Sequence, residues 1–382
     1  MNRPRNLWIT AAWLALAVAV APAARAEDTT LTVWSHEADE PAKVALREQA
    51  ARNLEASHPG VHVKITWYEK DGLYTALRTA LPAGQGPDIF YLEPDQTEYI
   101  TNGYIVPLDN LVNWNNIYEW ARQVWTHDGK TWALPEEAYT DELYYNKDRL
   151  SKLGVALPAS DQFDQTQFLD LVKKARAADM TPIAQGVGDR PYPGAYPKNF
   201  MTLKLGESHH YFYQKPGSLM FPMGSFYTGR AFVPVDQGGQ AVDFPIGIMQ
   251  FPAMDAAACN ECKTVAVGAS FAINAASKHQ DLAAAYLNEL ATPAMGKRWI
   301  ETVYLQTAVK TGDIQFTGPY AAYFTELMDR QKGAKYFTGM PVDILTGQCK
   351  DSFVQVMNKA FPGGLLSVDE AVKMMNQGCY KG

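Results

Sequence analysis

Apolar and polar positions follow two alternating rhythms over residues 30–100. Thr30-Leu-Thr-Val-Trp34 reads as a first strand. From about Pro41 to Ser57, Leu46, Ala50 and Leu54 recur at four-residue spacing, which places them on one helix face. Pro59-Gly60 ends that helix. Val61, Val63, Ile65 and Trp67 then alternate with His62, Lys64 and Thr66, a strand pattern. A short helix from about Leu73 to Leu81 follows, and Gly86-Pro87 breaks the chain. Ile89-Phe-Tyr-Leu92 is an unbroken apolar run, as expected of a parallel strand covered on both faces. Pro94 sits where a helix can begin, because its missing N–H costs nothing there. Strand and helix thus alternate three times, which predicts an α/β unit with a mainly parallel sheet. Glu93, Asp95 and Gln96 fall just past the carboxyl end of a strand. In open α/β sheets that crevice binds ligands, and a solvated polar loop is the competing reading.

Further along, Asp128-Gly129 reads as a hairpin turn between Val124-Trp125 and Thr131–Leu134. Helices are expected from about Lys147 to Gly154 and from Asp164 to Ala178, the second with Phe168, Leu171, Val172 and Ala175 on one side. A Gly/Pro/Tyr-rich loop spans Gly186 to Phe200. Short strands are expected at Leu219–Met223, Ala231–Val235, Ile246–Gln250, Thr264–Ile273 and Leu305–Val309. Helices are expected at Asp281–Leu290, Ala294–Val303, Tyr320–Gln331, Cys349–Phe361 and Val368–Gln377, the last opened by the capping box Ser367-Val-Asp-Glu370. The α/β pattern restarts after about residue 145 without a long linker, which suggests two lobes crossed several times by the chain.

The composition adds three things. The N-terminus reads as a signal peptide: Arg3 and Arg5 precede an apolar run from Leu7 to Val20, and Ala24-Arg25-Ala26 is a small-x-small cleavage site, so Glu27 begins the mature chain. No Cys follows that cut, and no later segment is long and apolar enough to span a bilayer. Removing Arg3, Arg5 and Arg25 takes the net charge from −7 to −10, which argues against nucleic acid or an anionic membrane as the main partner. Cys259, Cys262, Cys349 and Cys379 form an even set in an exported chain, which favours disulfides. Of three possible pairings, Cys259–Cys262 with Cys349–Cys379 is preferred. A redox-active Cys259-Asn-Glu-Cys262 is the alternative, though a strand-like Lys263-Thr-Val-Ala-Val follows it rather than a helix.

The sequence holds no G-x-S-x-G elbow, P-loop, dinucleotide fingerprint or H-E-x-x-H. His209-His210 has no partnering pattern of metal ligands, and no cofactor is implied. Glu136-Glu137 and Asp141-Glu142 supply carboxylates for a glycosidase pair, which needs a separation of about 5–9.5 Å. What remains is a set of aromatics beside short polar groups in expected loops. Trp34 stands with Ser35 and Glu37, Tyr91 with Glu93 and Asp95, and Tyr139 with Thr140 and Asp141. Tyr192 and Tyr196 stand with Asp189 and Arg190, and Phe226 and Tyr227 with Ser225. Flat rings cover the C–H faces of a sugar while carboxylates accept from its hydroxyls. Core packing is the alternative for any single ring, and Tyr144 and Trp67, inside strands, are assigned to the core.

Several motifs in order resemble a known family. They are Gly86-Pro-Asp-Ile-Phe-Tyr, Gly103-Tyr-Ile-Val-Pro-Leu, Trp132-Ala-Leu-Pro, Leu143-Tyr-Tyr-Asn-Lys147, Met220-Phe-Pro-Met-Gly-Ser-Phe226 and Val267-Gly-Ala-Ser-Phe-Ala-Ile-Asn. From Leu31 to the end, the chain resembles the extracellular solute-binding proteins of family 1, the sugar-binding subunits of ABC importers that include maltose-binding protein. The resemblance implies an α/β, two-lobed periplasmic binding protein-like (type II) fold with a hinge and an interlobe cleft. The implied lobes are 27–139 with about 272–304, and 140–271 with about 305–382, crossing near Tyr139–Tyr145, Ser270–Asn274 and Tyr304–Thr307. It further implies a monomeric, periplasmic receptor, not an enzyme, that delivers a sugar or polyol to an inner-membrane ABC permease. Another solute, such as a metal held by Tyr144 and Tyr145, or a secreted glycosidase, stays open beside it. By position, Asp95 matches the family's carboxylate after the G-P-D strand, and Trp34, Ser35 and Glu37 match its first-strand loop. Tyr68 and Glu69 match a further cleft loop, Glu93 lies beside Asp95, and Tyr139 and Asp141 match the hinge-proximal polar segment. Tyr192 matches an aromatic loop of the second lobe, and Phe226 sits where many members carry a stacking Trp. One departure stands out: Met201 to Pro216 fills a space where members carry several dozen more residues, which points to a shortened second-lobe wall.

Overall fold

The computed structural model describes residues 28–184, 211–213, 217–226, 231–232, 235, 239–253, 264–317, 320–334, 336–337, 349, 352–353, 355–356, 359 and 365–379. The first strand, β1 (Thr29–Ser35), leads through a turn into helix α1 (Pro41–Ser57), followed by β2 (Val61–Trp67), α2 (Lys70–Ala80) and β3 (Ile89–Leu92). β1 pairs in parallel with β2 along its full length, from Thr29↔Val61 to Ser35↔Trp67, and with β3 at Val33↔Ile89 and Trp34↔Phe90. All three strands therefore end at the same sheet edge. Every residue of β3 is buried, as its unbroken apolar run predicts. Trp67, expected in the core, is only half-buried, because β2 is the sheet's edge strand.

Beyond β3 no helix begins at Pro94. Gln96 closes a turn instead, its side-chain oxygen accepting from the Glu93 amide at 2.9 Å and its own amide donating to the Glu93 carbonyl at 3.0 Å. The helix starts later, at α3 (Glu98–Thr101), and α4 (Glu119–Val124) follows. β4 (Thr126–His127) and β5 (Lys130–Thr131) form the expected hairpin, with Asp128 and Gly129 both at positive φ (51° and 73°), as a two-residue primed turn requires. Next come β6 (Leu134–Pro135), β7 (Ala138–Tyr139), β8 (Asp141–Asn146), α5 (Lys147–Lys152) and α6 (Gln165–Ala177). Asp164 and Gln167 form a reciprocal capping box at the start of α6.

The remaining elements are β9 (Met220–Gly224), β10 (Ile246–Met249), β11 (Thr264–Val267), β12 (Ser270–Ile273), α7 (Gln280–Leu290), α8 (Pro293–Val303), α9 (Ala321–Lys332), β13 (Tyr336–Phe337) and α10 (Val368–Cys379). Among the described residues, three sheets form besides the β4-β5 hairpin: β2-β1-β3-β12-β6, β10-β8-β9 and β13-β11-β7. The first is parallel across β2, β1 and β3, but β12 runs antiparallel to β3, and β6 antiparallel to β12. The single strand expected at Thr264–Ile273 is therefore two, broken at Gly268-Ala269 so that each half serves a different sheet. Leu305–Val309 makes isolated bridges, Glu137↔Thr307 and Ile117↔Val309, rather than a ladder. Ala231 and Phe232 lie in a turn and bend, not a strand.

One core lies between the first sheet and helices α1, α7 and α8, with Leu31, Val33, Leu46, Phe90, Leu287 and Trp299 at its centre. The second sheet has a core on each face, because successive residues of β8 point to opposite sides. Leu143 and Tyr145 pack with Phe168 and Leu171 of α6, while Tyr144 packs with Phe221, Ile248 and Leu327 of α9. Full burial of each such side chain stabilises by about 1.5–3 kcal/mol. Among the described residues no helix is long and apolar enough to cross a membrane.

Among the described residues, three segments that run between the sheets are laced together. The amides of Glu136 and Glu137 donate to the Ala269 carbonyl at 2.9 and 3.1 Å, and Gly268 N donates back to Glu137 O at 3.0 Å. Ala138 N donates to Gln306 O at 3.2 Å, and Ala308 N to Glu136 O at 3.0 Å. Leu143–Tyr145, expected at a passage, lie inside the second sheet instead.

Candidate functional site

The parallel register of β1, β2 and β3 brings three loops to one sheet edge, as the alternation of strand and helix requires. Trp34, at the end of β1, meets Tyr68, just past β2, with ring centroids 5.1 Å apart. His36 sets its ring edge-on against Tyr91 at 4.2 Å. Past β3, the Glu93 carboxylate accepts from Tyr91 Oη at 3.0 Å and from Tyr74 Oη at 3.0 Å, and pairs with Lys70 Nζ at 2.7 Å. Asp95 lies half-buried in the adjoining turn. The edge therefore presents aromatic faces beside a fixed carboxylate.

Charges at this edge are tuned by burial first. Burial alone would push the Glu93 carboxyl up, but Lys70 and the two tyrosine hydroxyls outweigh it and hold the carboxyl below its usual range. Burial, seconded by Glu93, pushes the Tyr74 and Tyr91 hydroxyls up, so both remain donors. Burial lowers His36 to about 4 against the pull of Glu37, so its imidazole is neutral at physiological pH. His36 Nε2 is buried with no hydrogen-bond partner within the chain.

The other residues expected in the site divide into two groups. Glu69 is the N-cap of α2, its carboxylate accepting from the amides of Asp71 and Gly72 at 3.0 and 3.2 Å. Ser35 and Glu37 are buried below the edge rather than on it. Glu37, at a positive φ of 75°, pairs with Lys43 Nζ at 2.7 Å through one oxygen and with Arg47 through the other. Lys43 also meets Glu137 at 2.7 Å and Arg47 meets Glu136 at 2.8 Å. Burial pushes Glu37 up, yet the two cations outweigh it and hold its carboxyl well below the carboxylate range. The Glu136-Glu137 pair weighed as glycosidase carboxylates is thus bound inside this cluster, and Glu142 pairs with Arg330 at 3.2 Å.

Tyr139 and Phe226 come together across the second sheet's end, with ring centroids 5.3 Å apart and nearly perpendicular planes. Phe226 lies over Gly224, where a Cβ would fall 2.1 Å from its ring, and packs against both the first core and the α9 core. Asp141 opens β8 directly opposite Gly224. Tyr192, Tyr196, Tyr227, His209, His210, Cys259 and Cys262 lie outside the described residues, as do the expected signal peptide and most of residues 201–216. Tyr144, weighed as a metal ligand, is fully buried, and Tyr145 lies against Gly247. Among the described residues no group of three His, Cys, Asp or Glu is arranged to hold a metal. The expected Cys349–Cys379 disulfide is present.

Sequence reasoning missed His36, Lys70 and Tyr74 at the edge, and Lys43 and Arg47 beneath it. A signal for the last two was available: Lys43, Arg47, Ala50 and Leu54 share one helical stripe, so two cations occupy a core-facing face.

Two α/β lobes with a laced junction, and a ligand-type edge at strand carboxyl ends, define the two-lobed binding-protein class. The chain belongs to the bacterial extracellular solute-binding protein family, whose profile matches residues 37–297. Among curated relatives, it is 27% identical over 143 residues to the multiple sugar-binding protein of Streptococcus mutans serotype c, covering 37% of this chain and 33% of that protein. It is 33% identical over 94 residues to the maltotriose-binding protein of Pyrococcus abyssi, covering 24% of this chain and 21% of that protein. These matches thus span a third or less of the relatives' length. Among solved structures, a chitin oligosaccharide binding protein superposes with a TM-score of 0.76 at 18% identity, covering 92% of this chain and 98% of that one. The raffinose complex of the binding protein RafE gives 0.71 at 17%, covering 91% and 98%. At these identities the likeness establishes the fold.

Proposed function

We propose that this chain is the receptor of an ABC importer, holding a sugar or sugar-like polyol between its lobes and handing it to an inner-membrane permease. The observation that carries this reading is the sheet edge itself. Trp34 and Tyr68 offer faces for a sugar ring, and Glu93, fixed by Tyr74, Tyr91 and Lys70, offers an acceptor beside them. The names of the relatives, which are sugar-binding proteins, support the ligand class.

In this reading Trp34, Tyr68, Glu93 and Asp95 form the first wall, with Glu69 setting the α2 end of it. Phe226, Tyr139 and Asp141 belong to the facing side, and Tyr192 adds to it. Ser35 and Glu37 support the wall from beneath. The first lobe comprises 27–139 and about 272–304, the second 140–271 and about 305–382, and residues 1–26 direct the chain to the periplasm, where it acts as a monomer without catalysis. Contacts from both lobes favour the closed form over the open one. Micromolar affinity requires about 8 kcal/mol, hence several contacts from each side.

A thermal-shift screen of the mature chain against maltotriose, raffinose, lactose, chitin oligosaccharides, polyols, amino acids and divalent metals tests it. Ligand at about 100 times Kd adds about 2.7 kcal/mol, a rise of several degrees. At least one saccharide or polyol is expected to produce that rise. A response to amino acids or metals alone, or to nothing in the panel, overturns the ligand class.

A further inference from the structure

The junction between the lobes contains more buried carboxylates than cations. Lys43 and Arg47, on successive turns of α1, are the two cations. Around them stand Glu37 and Glu40 from the β1–α1 turn and Glu136 and Glu137 from the first passage between the sheets. Glu37, Glu136 and Glu137 are buried, and Glu40, with a side chain 12% exposed, forms the rim. Among the described residues, the three buried carboxylates Glu37, Glu136 and Glu137 share these two cations, and a buried charge without a counter-charge costs several kcal/mol. The cluster must therefore take up a proton.

The sharing pattern says where. Glu37 has a cation on each oxygen and stays ionised. Glu136 has Arg47, which serves two carboxylates. Among the described residues Glu137 has one cation, Lys43, which serves three carboxylates: Glu37 at 2.7 Å, Glu137 at 2.7 Å and Glu40 at 3.3 Å. The other Glu137 oxygen faces the backbone at Gly268, where a Cβ would fall 2.9 Å from it. Among the described residues, Tyr91 on β3 and the bridging Thr307 also stand beside it, and neither brings a cation. We propose that Glu137 carries the proton this cluster lacks, so that the laced passages form a proton-linked hinge that loosens as the proton leaves.

The placement gives the proton its leverage. Glu137 sits in the backbone lacing itself, accepting from Gly268 N and donating to Ala269 O. Lys43 joins it to Glu37, whose left-handed backbone sets the turn directly after His36. Loss of the proton therefore acts on the passage and on the cleft wall together. Burial, opposed by Lys43 and seconded by Glu37, raises the Glu137 carboxyl to about 7. A carboxyl raised in the closed junction favours that junction in full below its ordinary value, near 4.3, and the effect is lost as pH rises from there through about 7.

Hydrogen exchange of the full mature chain without ligand, corrected for the intrinsic pH dependence of exchange, tests this. Protection of the Glu137, Gly268 and Ala308 amides is expected to fall about tenfold between pH 6 and pH 8, and to stay level in Glu137→Gln. Wild-type protection that does not change between these pH values overturns the proposal, as does an equal fall in Glu137→Gln. A carbon-13 titration of glutamate side chains in the wild type serves if the variant does not fold. One carboxyl carbon titrating near pH 7 is expected, and a full set titrating below pH 5.5 overturns the assignment. Both readouts are independent of any ligand, so they stand apart from the saccharide screen.

Discussion

Tyr74 Oη donates to Glu93 Oε2 at 3.0 Å, fastening the helix after β2 to the loop after β3. With Tyr91 and Lys70 it fixes a carboxylate that loops alone would leave mobile. Tyr74→Phe removes one hydrogen bond to a charged group, and a loss of about 1.5–3 kcal/mol in urea unfolding at pH 7 is expected. The lowered carboxyl of Glu93 contributes stability that is present above its unfolded value, near 4.3, and is lost as pH falls through the folded one. The acid limb of the wild type between about pH 5 and pH 3 should therefore be steeper than that of Tyr74→Phe. Parallel acid limbs would show that Tyr74 does not set the Glu93 ionisation.

Trp34 and Tyr68 meet at 5.1 Å, and both are half-buried. Trp34→Ala is expected to weaken the saccharide found by the screen by about 10- to 100-fold, equivalent to about 1.4–2.7 kcal/mol. Isothermal titration with that saccharide checks it, with circular dichroism confirming the fold. Phe226→Ala, on the proposed facing side, should weaken the same saccharide, because Phe226 lies over Gly224 and packs against both cores. Unchanged affinity in both variants would remove the aromatic walls from the site.

The sequence made the first lobe legible because its signals are local. The period-two alternation of Val61–Trp67 and the apolar run Ile89–Leu92 each name their own element, and their order alone places three loops at one edge. What it could not show depends on partners far along the chain. Thr264–Ile273 reads as one strand because its apolar character never lapses, yet Gly268-Ala269 divides it between two sheets. Glu37 reads as a ligand contact because it follows a strand, yet its cations come from α1, and theirs in turn meet Glu137, 94 residues from Lys43. His36 carried no pattern at all; only the fold sets it against Tyr91.

Arg330 holds the second lobe from inside. Its guanidinium pairs with Glu142 of β8 at 3.2 Å, with Asp161 and with Glu326 at 3.3 Å, and donates to the Ile248 carbonyl at 3.1 Å. Arg330→Met removes the guanidinium from the buried Glu142, and breaking a buried pair in this way costs about 3–5 kcal/mol. Scanning calorimetry should show this as a lower transition temperature with saccharide contacts of the first wall untouched. A loss under 1 kcal/mol would mean that Glu142 finds another partner.

Gly296 on α8 lies against Val309, where a Cβ would come within 2.9 Å of the Val309 Cβ and of Thr311 Cγ2. Alanine ordinarily favours a helix over glycine by about 1 kcal/mol. Here the neighbouring β-branched side chain cannot swing clear, so overpacking of about 1–3 kcal/mol should prevail. Gly296→Ala is expected to destabilise in urea, against the propensity scale. A stabilised variant would show that the α8 end yields to the added methyl.

Cys349 and Cys379 are 30 residues apart, and closing a loop of that length is worth about 3–4 kcal/mol in the chain-entropy account. That figure applies when the tethered segment unfolds together with the core. Helix α10 has no fully buried residue, and Val368 and Val372 are exposed. Its capping box, with Ser367 and Glu370 bonded reciprocally, gives the helix local order of its own. The disulfide is therefore expected to tether a segment that opens by itself. In Cys349→Ala/Cys379→Ala, α10 amides should lose hydrogen-exchange protection by at least tenfold, while the main urea transition moves by less than about 1 kcal/mol. A shift of the main transition by the full 3–4 kcal/mol would instead place α10 in the same cooperative unit as the two lobes.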